Sequence, residues 1–286
     1  MTGFGARLRV ALDTHGPLCV GIDPHTHLLD QWGLDAAASG VREFGMRVVE
    51  AAAGRVGVVK PQVAFFERFG SAGFAALEDV MAAARAAGLL VIADAKRGDI
   101  GTTMDGYAAA WLEPGSPLEA DALTVSPYLG PDSLRATLTT AVRHGKGVFV
   151  LAATSNPEAA SLQTARTVDV ASTDDQTVAE RVARDVSWVN GSAAFDGGLG
   201  PIGLVVGATV DRHEFGLTDA ALRGAPLLAP GFGAQGAAPA DLPRLFGALS
   251  PNVVASESRS ILSAGPEGLA ARIDERAALY RRGSDA

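Results

Sequence analysis

A single cysteine, Cys19, is the only thiol available to this chain of 286 residues. An intrachain disulfide and any metal cage built from cysteines are therefore excluded. Cys19 lies in the apolar run Leu18-Cys19-Val20, where a thiol behaves as a small core hydrophobe. Positive charge is scarce as well: 24 Lys and Arg face 32 Asp and Glu, a net charge of −8. That balance argues against a broadly cationic surface for nucleic acid or anionic membranes, and an anionic ligand would need its cations gathered in one place. No apolar run reaches the length of a membrane span. The opening MTGFGARLRVALDTHGP lacks the apolar core of a signal peptide. The expectation is a soluble, cytoplasmic protein with neither nucleic-acid nor membrane partners.

What is present is an ordinary globular balance, 48% hydrophobic and 20% charged, with no compositional sign of disorder. Short apolar runs alternate with longer Ala-rich amphipathic stretches. Strands are expected at 18–23, 56–60, 89–94, 121–126, 147–153, 202–207, 226–229 and 252–256. Helices are expected between them, for instance over 72–87, stopped by Gly88, and over 131–144, stopped by Gly145. The strands are continuously apolar, as when both faces of a parallel sheet are covered. Eight strand–helix units predict an α/β fold, a TIM (β/α)8 barrel, with residues 1–286 as one domain. A doubly wound open sheet is the alternative, but no Gly-x-Gly-x-x-Gly follows the first strand. An insertion near 155–176 interrupts the alternation, and Gln163 to Val170 within it reads as a short polar hairpin. In a barrel it would lie on the active-site face as a lid, a dimer contact or a solvated excursion.

Polar residues at the C-terminal ends of barrel strands are the candidates for catalysis. Here they are Asp23, Lys60, Asp94 with Lys96, Ser126, Ser155, Gln235 and Arg259. Asp94 and Lys96 are two apart, so on a strand they point to one side, into the barrel mouth. Lys60, ending the preceding strand, would lie beside them, and Asp99 follows in the same segment. Gathering such charges is costly without a use for them. The segment Ala229-Pro-Gly-Phe-Gly-Ala-Gln-Gly236 and then Ser258-Arg259-Ser260 follow the last two strands. Glycine lets backbone N–H groups approach an anion, Arg offers a two-pronged fork, and these two loops are the usual phosphate site of such barrels.

Taken together, Asp94-x-Lys96-x-x-Asp99, Lys60 and Pro-Gly-Phe-Gly-Ala-Gln resemble orotidine 5'-phosphate decarboxylase over about Val20 to Arg259. Thr154-Ser155-Asn156-Pro157 and the C-terminal Ser-Arg resemble its longer bacterial subgroup. The resemblance implies cofactor-free, metal-free decarboxylation of orotidine 5'-monophosphate to UMP. It implies that Asp23 and Lys60 bind ribose hydroxyls, Asp94 faces the substrate carboxylate, and Lys96 protonates C6. It further implies Ser155 at the pyrimidine edge, Gln235 and Arg259 on the phosphate, and a homodimer in which Asp99 and Thr103 reach the neighbouring site.

Other readings stay open at this level. His25-Thr26-His27 after the first strand is where a metal-dependent amidohydrolase binds its ion, although the remaining ligands of that class are missing and the last strand offers Glu257. A magnesium-dependent sugar-phosphate decarboxylase shares Asp-x-Lys-x-x-Asp, and a non-catalytic phosphate-binding barrel is the third alternative. Phe65, Phe66 and Phe69 read as core or dimer packing.

Overall fold

The computed structural model describes residues 2–167, 175–192 and 198–284. Eight parallel strands close into a barrel in chain order. They are β1 (Leu18–Ile22), β2 (Val58–Pro61), β3 (Leu90–Arg97), β4 (Ala122–Val125), β5 (Gly147–Ala153), β6 (Ile202–Val206), β7 (Leu227–Pro230) and β8 (Val253–Glu257). Each expected strand is present with its ends shifted by a residue or so, except β3, which runs three residues further, to Arg97. Among the helices around the strands are α1 (Phe4–His15), α2 (Ala38–Ala52), α3 (Gly70–Ala86), α4 (Gly101–Leu112), α5 (Arg135–Arg143), α6 (Val178–Ser192), α7 (Leu242–Phe246) and α8 (Gly265–Ser284).

Two expectations need correction. The single helix over 131–144 is a 3-10 turn, Pro131–Leu134, followed by α5. The regular alternation also fails once: the connection from β6 to β7 runs in turns rather than a helix. Its sequence, with Asp211, Asp219, Gly216 and Gly224, is rich in residues that favour turns over helix interiors.

Strand geometry sets what lies inside. Side chains alternate across a strand, so Cys19, Val58, Leu90, Ile92, Ala122, Phe149, Val205, Leu228 and Val254 form an interior cluster. The strand residues between them pack outward on the helices. Helix α1 closes the N-terminal end: Phe4, Leu8 and Leu12 join the interior cluster, and Phe4 meets Phe149 edge-on at 6.0 Å. Cys19 is one of these interior residues, and burial pushes its thiol up to about 12. With one end plugged by apolar side chains, polar groups gather at the other.

The insertion after β5 begins with a helical turn at Ala159–Gln163. Arg166–Thr167 then pairs antiparallel with Gln176–Thr177. The hairpin therefore starts later than Gln163, which is helical; of the expected hairpin, residues 168–170 lie outside the described residues. Gln163 has a different use. Its side-chain carbonyl accepts from the Thr154 N–H at 2.8 Å and its amide donates to Thr154 Oγ1 at 3.0 Å. The insertion is thereby tied to the end of β5.

Candidate active site

On five of the strands the inward alternation continues past the apolar layer into polar residues. On β1 it runs Cys19, Gly21, Asp23; on β2 Val58, Lys60, Gln62; on β3 Ile92, Asp94; on β4 Ala122, Thr124; on β8 Val254, Ser256, Ser258. These side chains, with Lys96, His25, His27, Thr154, Ser155, Asn156, Gly231, Gln235 and Arg259, line a cleft of about 560 Å³, a size suited to one small ligand. Gly21 has an inward position but no side chain. A Cβ there would stand 2.8 Å from Ser258 Cβ, so the glycine keeps the cleft floor open.

Asp94 is the centre of the charge network. Lys60 Nζ donates to Oδ2 at 2.6 Å and Lys96 Nζ to Oδ1 at 2.6 Å. Thr124 Oγ1 donates to Oδ1 at 3.0 Å and accepts the Lys96 backbone N–H at 2.9 Å. Two ammoniums flank this one carboxylate, and Asp23 and Arg259 line the same cleft. Lys96 gets there by an unusual route. The β3–β4 register shifts between Ala93 and Arg97, and Lys96 has φ of +48°, alone among non-glycine residues described. A left-handed conformation at a lysine costs roughly 1–2 kcal/mol, and here it turns the side chain back onto Asp94. Strained backbone of this kind concentrates at functional sites.

Burial alone would raise the Asp94 carboxyl, but the charges and hydrogen bonds of Lys60 and Lys96 prevail and hold it well below the usual carboxylate range. Burial likewise works to lower Lys60, and Asp94 together with Asp23 outweighs it, so the ammonium is held above its ordinary value. For the depressed Asp94, the stability contribution is present above its ordinary 3.8 and is lost as pH falls through the folded value. For the raised Lys60, the contribution is present below 10.5 and is lost as pH rises through its folded value. The expected result is that substitution of this pair changes the Tm by the same amount from pH 5 to 9. Calorimetry of wild type and a Lys60→Met/Asp94→Asn variant across that range checks it; a difference that grows steadily with pH inside the window would contradict the assignment.

Beside this network, Asp23 Oδ1 is buried without a hydrogen-bond partner, as is Ser258 Oγ. An acceptor left bare inside a cleft is suited to a ligand hydroxyl. His25 stacks near Phe65, with ring centroids 4.2 Å apart, and lies 5.4 Å from His27. Burial holds His25 below its ordinary value, with Asp23 opposing and the charges of His27 and Arg259 adding to the shift. Among the described residues, no group of three or more His, Cys, Asp or Glu is placed to hold a metal ion.

The glycine loop after β7 holds three glycines with positive φ, Gly231 at +119°, Gly233 at +72° and Gly236 at +113°. Phe232 bridges to Ala237, closing the loop on itself. Gln235 on this loop and Arg259 after β8 both line the cleft.

Of the residues singled out in the sequence, Asp23, Lys60, Asp94, Lys96, Ser155, Gln235 and Arg259 share the cleft. Asp99 and Thr103 do not line it; the Asp99 carboxylate accepts the Ile100 N–H at 2.8 Å at the start of α4. The mouth of this chain thus holds Lys60 and Lys96 with Asp94 and Asp23, and Asp99 is not among its lining residues. Ser126 lies instead in a neighbouring depression with Pro127 and Tyr128. Sequence reasoning missed Thr124, Gln62, Ser256 and Gln163. The inward alternation on β2, β4 and β8 was the available signal for the first three.

The model of the orotidine 5'-phosphate decarboxylase / HUMPS family matches residues 16–272. A curated orotidine 5'-phosphate decarboxylase of Salinispora tropica is 53% identical over 274 residues, covering 95% of this chain and 94% of the relative. One from Streptomyces coelicolor is 52% identical over 272 residues, covering 95% and 94%. A crystal structure from Streptomyces avermitilis superposes with a TM-score of 0.92 at 50% identity, covering 100% of this chain and 97% of the other. The Leishmania donovani OMP decarboxylase structure gives 0.74 at 31% identity, covering 98% and 99%.

Proposed function

The chain belongs to the orotidine 5'-phosphate decarboxylase / HUMPS family, and we propose that it is the carboxy-lyase that converts orotidine 5'-monophosphate to UMP in pyrimidine biosynthesis, without metal or cofactor. The observation that carries the reading is Asp94 held between Lys60 and Lys96 at 2.6 Å each in the barrel mouth.

Loss of carbon dioxide breaks the C6–carboxylate bond and leaves its electron pair on C6, a vinylic carbon with no neighbouring carbonyl that delocalises it well. The positively charged Lys96 stabilises that pair electrostatically and then delivers its proton to C6. Asp94 faces the departing carboxylate. Two like charges about 4 Å apart at an effective dielectric of ~20 repel by ~4 kcal/mol, a minority of the ~8–23 kcal/mol that enzymes remove from barriers. Carbanion stabilisation is therefore the larger contribution. Asp23, with its bare buried oxygen, and Lys60 hold the ribose hydroxyls, Ser155 the pyrimidine edge, and Gln235 with Arg259 the phosphate. Phosphate binding far from C6 acts on the barrier by ordering the charge network.

The experiment is a spectrophotometric assay in EDTA of wild type and Arg259→Ala on the intact nucleotide and on orotidine. Wild type is expected to turn over the nucleotide in EDTA. Arg259→Ala is expected to lose on the order of 10²–10³-fold in kcat/KM on the nucleotide, the worth of a charged two-pronged contact, and little on orotidine. Loss of wild-type activity in EDTA would favour a metal-dependent relative, and equal losses on both substrates would remove the phosphate role.

The chain acts as one barrel unit, and as a homodimer in which Asp99 and Thr103 complete the neighbouring site. Supporting this, both stand outside their own cleft, and Ile100, Tyr128 and Leu129 on adjacent loops are exposed apolar side chains. Sedimentation equilibrium should give twice the chain mass at micromolar concentration; a monomer that is fully active would refute it.

A further inference from the structure

Glu257 ends β8 but has the outward alternation, so it points away from the cleft, between the barrel and α8. Its side chain is fully buried, and Arg276 clamps it with both prongs of the guanidinium, Nη2 to Oε1 at 2.8 Å and Nε to Oε2 at 2.9 Å. The Tyr280 hydroxyl donates to Oε1 at 2.7 Å, and the Ser260 hydroxyl donates to Oε2. One turn back along α8, Arg272 donates to the Ser260 carbonyl at 2.9 Å. Arg272, Arg276 and Tyr280 are spaced by four and so share one face of the helix.

The same cluster grips the glycine loop. The Phe232 ring packs on Tyr280 at 5.7 Å. Gly233 lies so close that a Cβ would come within 2.7 Å of Glu257 Oε2 and 2.5 Å of Ser260 Oγ. Both phosphate-facing loops, the one with Gln235 and the one with Arg259, are thus fastened from behind to a single buried carboxylate. A buried ion pair is weak as a source of stability, so its placement behind these two loops calls for another reason.

We propose that Glu257, with Arg276 and Tyr280, forms a positioning network that sets Arg259 and the glycine loop at the spacing needed to grip the substrate's phosphate. This rests on the phosphate role given to Arg259 above. None of the three touches substrate; they act through Arg259 and the loop backbone. Tyr280→Phe removes one hydrogen bond while keeping the ring on Phe232, and is the mildest probe. Glu257→Gln is the more severe one.

The measurement is kcat/KM for the nucleotide and for orotidine, with Tyr280→Phe made in wild type and in Arg259→Ala. Tyr280→Phe is expected to lose about tenfold on the nucleotide, to leave orotidine within about twofold, and to cost clearly less once Arg259 is gone, when only the share exerted through the glycine loop is left, since residues acting through one group are not additive. Equal losses on both substrates, no loss on the nucleotide, or an undiminished loss in the Arg259→Ala background would each overturn the proposal. If Arg259→Ala itself fails to separate the two substrates, the parent reading falls. If it separates them and Tyr280→Phe does not, only the network's role falls. Should Glu257→Gln not fold, Tyr280→Phe decides alone.

Discussion

Replacing Lys96 by alanine is expected to lower kcat/KM on orotidine 5'-monophosphate by at least about 10⁴-fold, because the proposed mechanism gives one side chain two functions. A positioned general acid is worth typically ~10²–10⁴ and a preorganised charge at the developing anion ~10²–10³, and Lys96 supplies both. Stability should change little, since Lys96 is 46% exposed, and UMP should still bind. Lys96→Arg separates the functions: it keeps the positive charge but gives up a proton poorly and is planar where an ammonium is compact. It should remain as inactive as alanine within about tenfold. Substantial turnover by Lys96→Arg would reduce Lys96 to an electrostatic role, and near-full turnover by Lys96→Ala would remove it from the mechanism altogether.

Removing Asp94 should be costly in a second way. The Lys60 and Asp94 side chains are each less than a tenth exposed, so Asp94→Ala strands a buried ammonium without its partner. Breaking a buried pair in this manner costs about 3–5 kcal/mol, which for a chain of this size lowers the Tm by on the order of 10 °C. Adding Lys60→Met should return much of that loss, because the stranded charge goes with it. Turnover should not return, since the carboxylate that the proposed mechanism sets against the substrate is still missing. Thermal melts of the four members of the cycle measure the coupling. If Asp94→Ala melts with wild type, or if Lys60→Met gives no recovery, the pair is more solvated than its geometry indicates.

The two effects differ in kind. Lys96 sits at the open edge of the network, where the proposed mechanism has it act on the reaction; Lys60 sits beneath it and helps keep Asp94 ionised. A left-handed lysine above a buried ion pair is an arrangement that packing must enforce, and the Thr124 hydroxyl, bonded to both the Lys96 backbone and Asp94, is the visible means.

Much of this was legible in the chain itself. Strand and helix positions follow from local apolar periodicity and glycine stops, which need only neighbouring residues. That Asp94 and Lys96 share a face is expected from the two-residue strand repeat, although the chain brings them together through a register shift and a left-handed Lys96. The grouping of Lys60, Asp94, Lys96 and Arg259 was predicted because βα loops of a barrel converge on one end. What needed the closed sheet was everything set by register and by contacts between distant segments. Thr124 joins Asp94 only because β4 lies next to β3 at a particular offset. The turn-built link from β6 to β7 breaks a regularity that periodicity assumed. The left-handed Lys96 has no mark in the sequence, since lysine does not favour that conformation. Glu257 enters the sequence reading only as the residue the last strand offers in the amidohydrolase alternative, and its buried cluster exists because α8 brings Arg276 and Tyr280 against it. Side-chain type and alternation are local properties written residue by residue; register, closure and burial are collective ones, decided by the chain as a whole.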